Sequence, residues 1–439
     1  MEHKRLARYP LGNPRRVWRQ DDFTMCIVGS MPIGLKYRDA CSKSKTERAV
    51  KTCLDIGFDL LDTCWASPEM CKTVLETADR LGGKVLYQDL TRFGGMGEKN
   101  VFCERNDLLG AMRDTAHWRP IIGYFMWDEP TTDEQLAITA QMITDCEKER
   151  PGMLPFTVAL PSYHPRTHWE DGAYAPYIDR FINIIDPAQM SFDYYPIGLT
   201  PYDEKIQLDE SLFWCDLETV RRAAQKKGIP FWFCYQGHKF HFYRYNVDFT
   251  YPMVRMMANA GILHGVVQLT CYTEFQGMVD PETGGPGVYF EEHKKDLAKI
   301  HALGNTLMAL TCERVIHDDS LLPDSPYMKD LRATMRDSVL LTGNLPHRIS
   351  VSEHSDAYGN RYLMVLNRNY AADTSFMLKL KNASNVYRVS DEDGKQRLVF
   401  EDSETLVGYL PAGGLALYRI QPADEEAYTV EYYLCKETN

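Results

Sequence analysis

The sequence predicts a (β/α)8 barrel followed by a small antiparallel β-sandwich. Eight apolar, β-rich segments recur roughly every 34 residues, each ending in polar or small residues. Helical patterns lie between them, so the strands read as a parallel sheet covered on both faces. Beyond about residue 315 the helices stop, and short β segments follow one another at roughly 8–15 residue intervals.

The candidate barrel strands begin at Thr24 (TMCIVGS), Gly57 (GFDLLDT), Gly83 (GKVLYQDL), Ile121 (IIGYFMWDEP), Pro155 (PFTVALPSYHP), Met190 (MSFDYYP), Pro230 (PFWFCYQGH) and Ile262 (ILHGVVQLTCYTEF). Apolar positions at helical spacing mark residues 46–56, 132–150 and 217–227, and a long helix over 290–313 closes the unit. A doubly wound sheet is the competing fold. The stretch after the first strand, Gly29 to Gly34, lacks the GxGxxG spacing that such a sheet usually carries.

The second domain reads as β segments over 348–353, 361–367, 374–380, 385–390, 397–400, 405–410 and 414–420, punctuated by turn residues such as Tyr358-Gly359-Asn360. The expected division is an N-terminal extension over 1–20, the barrel over 21–316, the sandwich over 335–422 and an unplaced tail over 423–439. A sandwich is where contact between copies in a homo-oligomer would be expected, though no residue in it specifies one.

Composition narrows the class. Hydrophobic residues make up 44% and charged residues 25% of the 439, the balance of a folded globular protein. The net charge of −12 disfavours nucleic acid and anionic lipid as partners, because both are polyanions. No apolar run approaches the ~18 residues that span a bilayer. The basic start has no apolar stretch after it, so a secretory signal is not expected. The 12 cysteines form no CxxC pair, and free buried thiols in a reducing cytoplasm are the expectation.

In a barrel the chemistry sits at the C-terminal ends of the strands. Here those ends are rich in carboxylates and rings: Asp62 and Trp65, then Tyr87 and Asp89, then Trp127, Asp128 and Glu129. The later strands end in Tyr163 and His164, in Asp193, Tyr194 and Tyr195, in Tyr235, Gln236 and His238, and in Tyr272 and Glu274. Rings stack on the apolar C–H faces of sugars, and carboxylates accept hydrogen bonds from their hydroxyls. The bland alternative is that polar residues mark any strand-to-helix loop.

The segment IIGYFMWDEP resembles glycoside hydrolases of the large acid/base barrel clan, clan A, and in particular family 42-like bacterial members with a Gly-Tyr-x-x-x-Asp-Glu-Pro segment on the fourth strand. MSFDYYPIG resembles their sixth strand. YTEF, followed by GMVDPETGGPGVYFEEHKKDLAKIHALGNTLMAL, is similar to their eighth strand, loop and closing helix. A β-sandwich after the barrel is common there too. The likeness covers about residues 20–420 in layout, with only these stretches motif-specific. It implies that Glu129 is the proton donor, which must be a carboxylic acid protonated near neutrality. The alternative for Asp-Glu-Pro is a helix N-terminus, with Pro in the first turn and acids favourable to the dipole.

The sequence departs from that pattern twice. Asp128 stands where the clan usually has Asn. Gln236 stands where the seventh strand normally ends in the second carboxylate, and an amide cannot serve as one. Glu274 is the first substitute, followed by Asp193 and Asp128. Trp65, Trp127, Tyr194, Tyr195 and Tyr272 would form sugar platforms. Asp62, Asp89 and His164 would hold hydroxyls, and Tyr235, Gln236 and His238 would line the pocket.

His164 with His168, and His238 with His241, have ligand-like spacings, but Pro165 argues against a helix carrying the first pair. No metal or other cofactor is expected. Cys64, Cys234 and Cys271 lie near strand ends without an activating arrangement. The expected function is hydrolysis of an O-glycosidic bond in a small carbohydrate, with Glu129 and Glu274 as the acid and its partner. The alternatives are a non-catalytic carbohydrate-binding barrel, which Gln236 favours, or a barrel enzyme performing sugar elimination or transglycosylation.

Overall fold

The computed structural model describes residues 1–28, 42–64, 66–89, 92, 107–164, 174–197, 210–238, 249–272, 277–319, 331 and 333–436. The chain opens with strand β1 (Glu2–Arg8) and then enters eight parallel strands: β2 (Thr24–Val28), β3 (Leu60–Asp62), β4 (Lys84–Tyr87), β5 (Ile121–Asp128), β6 (Leu154–Val158), β7 (Met190–Tyr194), β8 (Phe231–Gln236) and β9 (Gln268–Tyr272). Between and after them run helices α1 (Lys43–Ile56), α2 (Pro68–Leu81), α3 (Leu108–Asp114), α4 (Asp133–Glu149), α5 (Ala175–Ile185), α6 (Glu210–Lys227), α7 (Tyr251–Leu263) and α8 (Phe290–Ala309).

The sheet order β6-β5-β4-β3-β2-β9-β8-β7 is that of a barrel. A parallel bridge from Ala159 to Phe192 closes it, with Ala159 N–H donating to Ser191 C=O at 2.9 Å. The predicted (β/α)8 architecture is therefore present, and each predicted segment supplies its strand. The start of the eighth segment, Ile262 and Leu263, finishes α7 instead.

The strands read as continuous apolar runs because both faces are covered. Phe125 and Phe156 stack at 4.9 Å inside the barrel, and Phe156 meets Trp232 across it at 5.8 Å. On the outer face Phe233 packs against Phe213 of α6 at 6.0 Å.

The second domain holds β10 (Thr311–His317), β11 (Leu341–Thr342), β12 (Ile349–Ser355), β13 (Arg361–Asn367), β14 (Thr374–Val389), β15 (Gln396–Leu410) and β16 (Leu415–Pro422) in antiparallel order β10-β12-β13-β16-β14-β11, with β15 on β14. Residues 311–317, read from sequence as the end of the barrel, thus belong to this sheet and pair with β12. Two pairs of predicted short strands fuse into the long strands β14 and β15, which bend through register shifts around Ser384. The bend folds the sheet over a second core that includes Val351, Leu363, Val365, Phe376, Leu378 and Leu406.

Alternation on β13 joins the two domains. Leu363 and Val365 face the second core, while Tyr362, Met364 and Leu366 join the barrel's core. The tail also has a place: β17 (Tyr428–Leu434) runs parallel to β1, joining the two ends of the chain.

Candidate active site

Four of the carboxylates predicted for the mouth, Asp62, Asp128, Glu129 and Asp193, lie together there, and a defect in strand β5 directs Asp128. Along the β5–β6 ladder Phe125 pairs with Phe156 and Asp128 with Val158, so β5 carries one more residue than β6 over that span. The extra residue reverses the alternation. Asp128, rather than Trp127, therefore shares the interior face with Phe125. Trp127 is buried at 4% exposure, and its carbonyl accepts from Thr157 Oγ1 at 2.7 Å.

Glu129 follows with φ of 56°, a left-handed conformation that a non-glycine residue adopts at a cost of about 1–2 kcal/mol. It is not part of a helix start. Helix α4 begins at Asp133, and its N-cap is Thr132, which forms a capping box with Gln135. Tyr177 of α5 anchors the turn, its hydroxyl donating to Pro130 C=O at 3.1 Å and accepting from Leu160 N–H at 3.1 Å.

One strand beyond β6, Asp193 at the end of β7 hydrogen-bonds both Glu129 and Tyr195 through its side chain. Burial pushes its carboxyl up to about 6, while those hydrogen bonds pull it back down. Its Oδ1 has no partner among the described residues. Asp128 is pushed well above the carboxylate range by burial, then by Asp193 and Asp62. Asp62, 1% exposed, rises to about 7 through burial, although its Oδ1 accepts from Cys64 N–H at 2.8 Å. Four carboxyls thus share one mouth, and they cannot all be ionised together.

Rings line the mouth on the β7–β9 side. Tyr195 and Tyr272 stack at 5.1 Å and 27°, and the His238 ring lies 6.0 Å from Tyr272. The Tyr195 hydroxyl is also 3.7 Å from Cys234 Sγ.

Other predicted site residues have different places. Tyr194 packs outward on Phe213 at 5.3 Å and Tyr163 at 4.9 Å, buried between sheet and helix and not available as a platform. Tyr235 also points outward, its hydroxyl 3.0 Å from His293 Nε2 of α8. Strand alternation places both, since their neighbours Asp193, Tyr195, Cys234 and Gln236 face inward. Asp89 organises its own loop, accepting from the Tyr87 hydroxyl at 2.9 Å and from Arg92 N–H at 3.1 Å. His164 is partly exposed at the start of the loop after β6.

Gln236, wholly buried, holds backbone: its Oε1 accepts from Ile197 N–H at 3.0 Å, and its Nε2 donates to Ile197 C=O at 2.8 Å and His238 C=O at 3.0 Å. Trp65 and Glu274 lie outside the described residues.

Sequence reasoning missed Tyr177, which sits on an amphipathic helix like many core tyrosines. Cys234, read from sequence as a strand-end thiol without an activating arrangement, lies beside Tyr195, a place that follows from strand alternation. Among the described residues no three His, Cys, Asp or Glu side chains are grouped to hold a metal ion. No helix among them is long and apolar enough to cross a membrane.

No family model matches the chain, and no curated protein does. Its fold does have solved counterparts. A catalytic mutant of a GH42 β-galactosidase from G. stearothermophilus aligns with a TM-score of 0.55 and 8% identity, over 91% of this chain and 98% of that one. A GH27 β-L-arabinopyranosidase from Geobacillus stearothermophilus aligns at 0.50 and 11% identity, over 92% of this chain and 98% of that one. The barrel with its antiparallel second domain is an arrangement found in glycosidases, and at these identities the likeness is one of fold.

Proposed function

We propose that the protein hydrolyses an O-glycosidic bond of a small carbohydrate, with Glu129 as proton donor and Asp193 as its ionised partner. The hydrogen bond between these two carboxyls carries the reading. Such a bond holds one proton between two groups, and it favours the Asp193 anion. The reading gives Glu129 the role of the group that protonates a leaving oxygen. Asp193 then stabilises or attacks the anomeric carbon, or activates water. A sugar entering the mouth parts the pair.

Asp128, raised by burial and by repulsion from Asp193 and Asp62, and Asp62, raised to about 7 by burial, donate hydrogen bonds to sugar hydroxyls in their protonated forms. The Tyr195–Tyr272 stack and His238 form the wall against which the sugar lies. The glycosidases that share this fold support the reading at the level of architecture.

A panel of aryl glycosides tests it. Turnover by the wild type that falls by about 10²–10⁴ in both Glu129→Gln and Asp193→Asn supports the assignment. The alternative is a carbohydrate-binding barrel without catalysis, favoured by Gln236, whose amide occupies the end of β8 and grips backbone. Sugar binding that persists in wild type and Glu129→Gln, with no turnover in either, decides for that alternative.

A further inference from the structure

We infer that Gln236 is a positioning residue, a side-chain substitute for a missing rung of the sheet that fixes Tyr195 against Asp193. The inference rests on the reading of Asp193 as the ionised partner. The β7–β8 ladder ends where Tyr194 pairs with Tyr235. The next residues, Tyr195, Pro196 and Ile197, run on beyond it. Pro196 has no N–H to offer.

At that point the Gln236 amide supplies both halves of a peptide pairing. It accepts from Ile197 N–H at 3.0 Å and donates to Ile197 C=O at 2.8 Å. Its second N–H goes to His238 C=O at 3.0 Å, so one buried side chain ties the ends of two neighbouring loops. A glutamate here would keep the acceptor and lose both donors, leaving two carbonyls facing a carboxylate. The amide that breaks the two-carboxylate pattern thus has a job only an amide can do.

The consequence for chemistry runs through Tyr195. Held from Ile197 on one side and stacked on Tyr272 on the other, its hydroxyl meets the Asp193 carboxylate. Asp193 also faces Asp128 of β5, Glu129 just after it and Cys234 of β8, with Tyr174 and Tyr177 near it on the side of α5. Within that set Tyr195 and Glu129 are the groups whose hydrogen bonds stabilise the anion. Loosening Gln236 therefore removes a donor from Asp193.

Carbon-13 NMR of aspartate carboxyls, with Asp193 assigned through Asp193→Asn, reads this without substrate. Tyr195→Phe should raise the Asp193 titration midpoint by about one pH unit. Gln236→Met, similar in length but without the amide, should raise it similarly, and the double variant should go no further. A midpoint unmoved in Gln236→Met, or additive shifts, overturns the inference, as does a Tyr195→Phe that leaves Asp193 unchanged. If Gln236→Met does not fold, amide exchange in the wild type decides. Protection at Ile197 comparable to that within β8 supports the clamp, and exchange at the rate of an open loop overturns it. Absence of turnover on any glycoside would defeat the proposed function but would leave these readouts standing.

Discussion

Glu129 after β5 and Asp193 on β7, flanking the strand β6 that lies between them, share a side-chain hydrogen bond. Two further carboxyls crowd them, and burial sorts the group: Asp62 rises to about 7, Asp128 rises well above the carboxylate range, and Asp193 reaches only about 6. Neighbouring acids with separated affinities for protons are the raw material of acid–base catalysis.

The pH dependence of activity follows from Asp193. Its anion is the working form, so kcat/KM should fall as the solution is acidified, with a midpoint near 6. Steady-state rates between pH 4 and 8 on an aryl glycoside check this. A rate that is flat down to pH 4 contradicts the role given to Asp193.

Backbone strain at Glu129 predicts a trade of stability for function. Glycine tolerates a φ of 56° without a Cβ penalty. Glu129→Gly should therefore be inactive yet more stable by about 1 kcal/mol, a gain that also reflects one fewer acid in the cluster. Thermal unfolding of the two proteins side by side measures it, and a lower Tm for the glycine variant contradicts it.

The stability profile carries the same acids, with a sign that can be worked out. Asp62 at about 7 and Asp216 at about 8 both lie above the unfolded value of 3.8. Their contribution is complete below that value and is lost as pH rises through their folded values. Buried His264 and His293, lowered to about 4 from 6.5, contribute fully above 6.5 and lose that contribution as pH falls. The two trends oppose each other between pH 4 and 6.5, and above 6.5 only the loss from the acids remains. The Tm should therefore decline from pH 6.5 to 8.5. Asp216→Asn, which keeps an acceptor for Ser162 N–H, should flatten that decline.

Much of this was legible in the sequence. Strands buried on both faces must read as unbroken apolar runs, and the eight runs located the barrel. The change to closely spaced β segments located the second domain. The polar ends of the strands point to Asp62, Asp128, Glu129 and Asp193. Other features were not legible, for physical reasons. A single extra residue in β5 reverses which side chains face inward, and composition does not reveal it. The predicted platform Tyr194 and the predicted pocket-lining Tyr235 fall on the outer face by alternation, which a list of strand ends ignores. The pairing of β1 with β17 joins opposite ends of the chain, and neither strand is apolar enough to announce itself.

The domain junction yields a separate expectation. Arg221 and Glu218 of α6 form a buried bidentate pair at 2.7 and 2.6 Å, and Arg221 also donates to Cys312 C=O of β10 at 2.7 Å. Arg221→Ala removes two of the hydrogen bonds to the buried Glu218 carboxylate, leaving it to Arg222, whose Nε donates at 2.7 Å, and should cost about 1–3 kcal/mol. The shared core predicts that barrel and sandwich still unfold in one transition, which calorimetry of the wild type and the variant resolves.

The proton-donor assignment meets its most direct test in the dependence of rate on the leaving group. For Glu129→Gln, kcat/KM should drop by about 10³ on glycosides whose leaving alcohol needs a proton, and only slightly on a dinitrophenyl glycoside, whose leaving group departs as an anion. A loss equal across the series, or no loss at all, would contradict Glu129 as the acid.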